Sequence, residues 1–293
     1  MSNQCRVKPG QVALICLVPV LVMTLHAAAD TVLAQKMKPE EVVAKHLESI
    51  GAVETRESIN SRIITGTVVV TFREPGTGQL GGRAVIASES SKSMMGLIFE
   101  NSNYPHEKIG YDGEDVTASY VRPGIRSALG NFFMTYKNMV KQGILGGALT
   151  DAWALANLKT NKARVEYGGR KKVGDRQTHE IKYFPRGGLD LRVSLFFDSE
   201  TFQHIRTEYT RTVPAVMGGT PEASASQRET RYKLVEDFSD FKRAGGLILP
   251  HTYKLTLEIR AATSSFSADW ELALSEFLYN QNLEPGSFKV DNN

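Results

Sequence analysis

Imidazole is the side chain best suited to acid–base work near neutral pH and to holding a metal through a neutral nitrogen. Five histidines lie beyond position 35: His46, His106, His179, His204 and His251. They fall on different expected elements and no two share metal-ligand spacing, so each reads as a strand or surface histidine. Three carboxylates crowd together in Asp112-Gly113-Glu114-Asp115. A calcium loop needs oxygens at alternate positions over about twelve residues with a closing glutamate. That pattern is absent, which leaves an acidic hairpin tip. Gly-x-Ser-x-Gly, His-Glu-x-x-His and a phosphate-cradling glycine loop are missing as well. With no nucleophile–base pair, acid pair or metal set legible, the expectation is a chain that is not an enzyme and holds no metal.

The pattern that does stand out is apolar. Between Ser127 and Leu145, residues Leu129, Phe133, Tyr136 and Val140 recur at i, i+4, i+7 and i+11, with Phe132 and Met139 beside them. Such a stripe predicts one helix packed on a sheet. It has a plain reading as ordinary core and a functional one as a glycine-flanked lid over a cavity. Met94, Met95 and Met139 are adaptable side chains suited to an acyl chain of indefinite shape. Leu97 and Phe99 share the strand Ser93–Phe99 with the first two. The candidate ligand-contacting set is therefore Met94, Leu97, Phe99, Leu129, Phe132, Phe133, Tyr136, Met139 and Val140.

Several elements must position that set. The first residues have the layout of an export signal: Arg6 and Lys8, an uncharged apolar run from Val12 to Leu25, and the small residues Ala27, Ala28 and Ala29. Cleavage after Ala29 is expected, with Val32-Leu33-Ala34 as a second site and a retained anchor as the other reading of the run. This divides the chain into a signal segment, 1–29, and one domain, 30–293. Both cysteines, Cys5 and Cys16, fall in the signal, so no disulfide is expected in the mature chain. Lys38-Pro39-Glu40-Glu41 opens an amphipathic helix ending at Gly51. From Ser61 the apolar period changes from about 3.6 to 2, and strands follow with tight turns such as Asp112-Gly113-Glu114. Leu189, Leu191, Val193, Leu195 and Phe197 share one face, while Asp190, Arg192 and Ser194 take the other. A further short helix is expected over Thr150–Leu158 and a mobile loop over Pro214–Ser226. Ten or eleven strands with helices at the start and in one central insertion predict a mainly β (α+β) domain: one large curved antiparallel sheet with a covered concave face. The 35 basic and 32 acidic residues are interspersed, so the net charge of +3 forms no footprint for nucleic acid.

The order of the pieces resembles a known family. An exported start precedes a Pro39-Glu40-Glu41 helix ending in Ile50-Gly51, then Thr65-Gly66-Thr67-Val68, the Tyr111-Asp112-Gly113 hairpin, a central helical insertion, and Asp237-Phe238 leading to Gly245-Gly246-Leu247-Ile248-Leu249-Pro250-His251. Together these look like the LolA-like superfamily of outer-membrane lipoprotein-sorting and periplasmic carrier proteins. The resemblance implies an unclosed β-barrel with a helical lid and an apolar cavity, working in the bacterial periplasm as a monomer. It implies a lipid or a lipoprotein acyl chain as ligand, an envelope membrane protein as a further candidate partner, and no cofactor. This chain is longer than the best-known carriers, and none of their individual contact residues transfers onto it. Because relatives of this fold also sense envelope stress, the alternative is a sensor or protein-interaction module with a filled core and no ligand.

Overall fold

The computed structural model describes residues 37–215, 229–262 and 264–290. The expected signal segment and all but the first two residues of the expected Pro214–Ser226 loop lie outside the described residues. Helix α1 (Pro39–Ile50) forms where proline sits in the first turn, Glu40 and Glu41 meet the positive end of the dipole, and Val42, Val43, His46 and Ile50 make one buried stripe. A short helix not expected from the sequence, α2 (Val53–Glu57), follows it.

The strands form two meanders. The first comprises β1 (Ser61–Glu74), β2 (Gly78–Glu89), β3 (Lys92–Phe99), β4 (His106–Tyr111) and β5 (Val116–Ala118). The second comprises β6 (Arg164–Val173), β7 (Arg176–Phe184), β8 (Arg192–Asp198), β9 (His204–Val213), β10 (Thr230–Ala244), β11 (Leu247–Arg260) and β12 (Ser265–Tyr279). Strands β1 and β12 join them into one antiparallel sheet in the order β5-β4-β3-β2-β1-β12-β11-β10-β9-β8-β7-β6. The count is twelve where ten or eleven were expected. The architecture is the expected mainly β one, and the sheet is not closed into a barrel, because β5 and β6 are its two edges.

Alternation explains the wall. Val68 on β1, Leu272 on β12 and Tyr253 on β11 pair side by side, as do Val70, Trp270 and Leu255, and all are buried on one face. At Gly66, where the β1–β12 register shifts, a Cβ would lie 2.1 Å from the Ala273 carbonyl oxygen, so only glycine lets the strands approach. Strand β11 begins at Leu247 and runs through Pro250. That proline is tolerated because the ladder is interrupted at its neighbours: Ser239 pairs Thr252 and Phe241 pairs Pro250, while Asp240 takes φ 55°.

Residues 120–163 leave the sheet at the β5 edge and re-enter it at the β6 edge, so this segment bridges the opening and covers the concave face. It is not one helix. Helices α3 (Ala128–Thr135) and α4 (Lys137–Lys141) are separated at Tyr136, which has φ −112° and ψ 43°. The Thr135 hydroxyl bonds back to the Asn131 carbonyl, and the Tyr136 ring packs 4.8 Å from Phe132 and 6.1 Å from Tyr232. Burial of that ring outweighs helix continuity. The expected helix over Thr150–Leu158 is instead mostly turns, with α5 confined to Leu158–Asn161. Gly143 (φ 66°) packs so closely on the turn after it that a Cβ would lie 1.8 Å from the Ala152 carbonyl oxygen. Among the described residues, no helix is long and apolar enough to cross a membrane.

Candidate functional site

The space between the cover and the wall is where the sequence places a ligand, and the structure brings the candidate residues together there. Leu97 and Phe99 on β3 face Leu129, Phe132 and Phe133 of α3, Tyr136 at the break, and Met139 and Val140 of α4 within one continuous core. All eight are buried, and Met94 is half-buried. They fill the space rather than line it. A hollow of about 20 Å³ remains, bordered by Ile86, Met94, Met95, Ile109, Val140, Leu145, Gly146 and Tyr253 among others, and another of about 10 Å³ lies by His46, Ala148 and His204. The larger is room for about one water. A more spacious hollow is an open polar cleft of about 420 Å³ outside the cover, bordered by Asn60, Ser90, Gln142, Asn157 and Asn161.

What the sequence did not show is how the cover is fastened. Among the described residues, no backbone–backbone hydrogen bond joins residues 120–163 to a strand. Side chains make the ties instead. Glu236 on β10 stands fully buried in the apolar rank beside Leu255, and it accepts hydrogen bonds from Gly146 N of the cover (2.7 Å) and from the hydroxyls of Tyr209 and Tyr253 (2.6 Å each). Burial pushes its carboxyl up to about 7 against the pull of those donors. Glu107 on β4 is held by the Tyr104 hydroxyl at 2.5 Å and by Ser127, whose oxygen also caps α3 through Gly130 N at 2.9 Å. Burial raises it, too, to about 7.

Two further ties stand nearby. Arg62 on β1 pairs with Asp151 of the cover at 3.0 Å and donates to the Ala148 carbonyl at 2.5 Å, while Ser88 Oγ donates to Asp151 at 3.0 Å. With 7% and 9% of their side chains exposed, the two charges depend on each other. Burial raises the Asp151 carboxyl, and Arg62 opposes that shift. The indole N–H of Trp153 donates to His46 Nε2 at 3.0 Å, and His46 Nδ1 meets the Phe202 carbonyl at 3.1 Å. This fixes the tautomer with hydrogen on Nδ1, and burial lowers His46 to about 4. His204 stacks on Trp153 at 5.1 Å, its Nε2 lies 3.0 Å from the Arg206 carbonyl, and burial lowers it well below its ordinary value.

The histidines expected to be scattered are in part gathered, since His46 and His204 lie 5.9 Å apart beneath the cover. Both are held neutral in structural contacts. Asp112 does form the expected acidic hairpin tip, its carboxylate accepting from the N–H groups of Glu114 and Asp115 at 2.9 Å each. Among the described residues, no group of three or more histidines and carboxylates is placed to hold a metal.

Neither a protein-family model nor a curated protein matches the sequence. Among solved structures, the chain is similar to a LolA superfamily protein from Nitrosomonas europaea at 13% identity, covering 87% of this chain and 98% of that one with a TM-score of 0.46. A Vibrio parahaemolyticus domain assigned to outer membrane lipoprotein sorting has 12% identity, 84% and 97% coverage and a TM-score of 0.40. The lipoprotein LppX of Mycobacterium tuberculosis has 8% identity, 83% and 97% coverage and a TM-score of 0.24. At these identities and scores the likeness concerns fold and says nothing of a ligand.

Proposed function

We propose that the chain is an exported, non-enzymatic binding protein that shields a lipid or lipoprotein acyl chain between cover and wall. One observation carries this reading. The cover that bridges the open sheet makes apolar contact with the wall along its length, yet it is fastened by side chains and by no backbone ladder, so it can separate without breaking a strand. Magnitudes limit how it separates. Moving Leu129, Phe132, Phe133, Met139, Ile144, Leu149 and Trp153 into water would cost on the order of 14 kcal/mol, at about 2 kcal/mol per side chain. A dozen methylenes return about 10 kcal/mol, at about 0.8 kcal/mol each. A single acyl chain therefore enters beneath a cover that stays in contact with it, and adaptable Met95 and Met139 accommodate the change.

The near-absence of free volume favours a second reading, a module with a filled core that engages a partner protein through its surface. Titration with a fluorescent acyl probe, together with mass spectrometry of protein taken from its native envelope, separates the two. Saturable binding of one probe, displaced by fatty acid, is expected. Protein that carries no lipid and binds no probe would leave the filled module standing.

A further inference from the structure

Charge is interspersed over most of the chain, but cations gather at one hairpin tip. Arg170-Lys171-Lys172 is the chain's only run of three consecutive cations. It lies at the far end of β6, the edge strand, and the two-residue turn Gly174-Asp175 folds Arg176 of β7 back beside it, with Val173 pairing Arg176. All four cations and Asp175 are exposed. Four cations against one carboxylate give the tip a net +3, equal to the formal charge of the whole chain. Arg176 has a loose contact with Asp198 at 3.7 Å, and among the described residues Arg170, Lys171 and Lys172 pair with no carboxylate. Three residues of strand span about 10 Å. That is about one Debye length at physiological salt, so a large anion meets these charges as one.

From this geometry we infer that the β6–β7 hairpin tip is a docking point for an anionic lipid surface. Alternation decides the kind of partner. Arg170 and Lys172 lie on one face of the ribbon and Lys171 on the other, so a peptide laid along either face meets only part of the charge. A plane of negative headgroups approached end-on meets all of it. The tight turn and the β6–β7 ladder hold the backbone in place beforehand, which keeps the ordering cost of docking small. The inference stands apart from the acyl-binding reading, because the tip needs no movement of the cover.

The test is sedimentation of the purified protein with phosphatidylglycerol–phosphatidylcholine vesicles, compared with pure phosphatidylcholine. Preference for the anionic vesicles is expected, falling as salt rises. Replacing Arg170, Lys171 and Lys172 together by serine is expected to weaken that preference about 100-fold, from the typical contribution of a basic residue near an anionic surface. Lys171→Arg with Lys172→Arg keeps it. All these positions are exposed, so an unchanged circular dichroism spectrum and melting curve certify the fold. Equal partition of wild type and triple-serine protein overturns the proposal. So does salt-independent binding, or tighter binding to polyglutamate than to the vesicles, which would assign the tip to an acidic protein. A triple variant that aggregates while binding vesicles as before would mean that the cations serve only to keep the edge strand from pairing.

Discussion

The wall and its cover bury comparable apolar residues and are built in opposite ways. On the wall, Trp270, Leu272, Leu255 and Tyr253 sit on strands of up to 15 residues, each laced to two neighbours by backbone bonds. On the cover, Phe133 and Met139 sit on helices of 8 and 5 residues, and the cover is held by Glu107, Glu236 and Arg62 of the sheet and by His46 of α1. Losing one side chain from the wall weakens the whole sheet. Losing one tie from the cover loosens a local unit, and local units are what open first in a folded protein.

The largest effect that sharpens this contrast belongs to the wall. Trp270→Ala removes a fully buried indole whose N–H donates to the Tyr104 hydroxyl at 2.9 Å. It should lower stability by about 5 kcal/mol, the upper end for such truncations, and should accelerate amide exchange in sheet and cover alike. If only the cover exchanged faster, the division would be drawn in the wrong place. The next effect belongs to the cover. Arg62→Ala leaves Asp151 buried without its cation and should cost about 4 kcal/mol, whereas Arg62→Met with Asp151→Leu should remain within about 1 kcal/mol of wild type. Urea denaturation of wild type and the two variants measures both, and a double variant as weak as the single one would show that the pair is more than a tie.

The smallest is a pH effect. Glu236 sits at about 7 in the fold against an ordinary 4.5, so the folded state holds its proton more tightly than the unfolded chain. Its contribution is fully present below about pH 4.5 and is lost as pH rises through 7. His46, at about 4 against 6.5, does the reverse: its contribution is full above pH 6.5 and is lost as pH falls through 4. The two slopes oppose each other in the wild type. Glu236→Gln removes the first, so the stability of the variant relative to wild type should climb by about 3 kcal/mol between pH 4.5 and 7. A constant offset across that range, read from denaturation midpoints, would mean that Glu236 does not titrate there.

The same contrast separates what was legible in the sequence from what was not. Period-two runs such as Leu191, Val193, Leu195 and Phe197 declare the wall because a strand with one wet face has no other way to be written. The cover was half legible. Its apolar residues are buried as expected, but the break at Tyr136 depends on a ring packing against Tyr232, nearly a hundred residues away in sequence. The ties were hidden because a polar residue in a strand ordinarily points outward. Glu236 nevertheless shares its parity with Leu234 and Phe238, and Glu107 with Ile109, all buried. A carboxylate in step with core residues was the available signal. The scarcity of free volume beneath the cover had no signal at all, since it depends on how side chains from four or more elements interlock.

The pairing of β1 with β12 has a consequence for how the molecule comes into being. Arg62 lies opposite Tyr279 and Glu74 opposite Ser267, so the seam between the two meanders joins residues about two hundred positions apart. Each meander is assembled from contacts between neighbours in sequence, but the seam must wait for the last strand. Ten of the eleven strand pairings join sequence neighbours and one does not, so closing the seam is the step that loop entropy slows. Until the final strand arrives, β1 presents an unmatched row of amides and carbonyls, which is the state in which a threading machine or a holding chaperone would meet the chain.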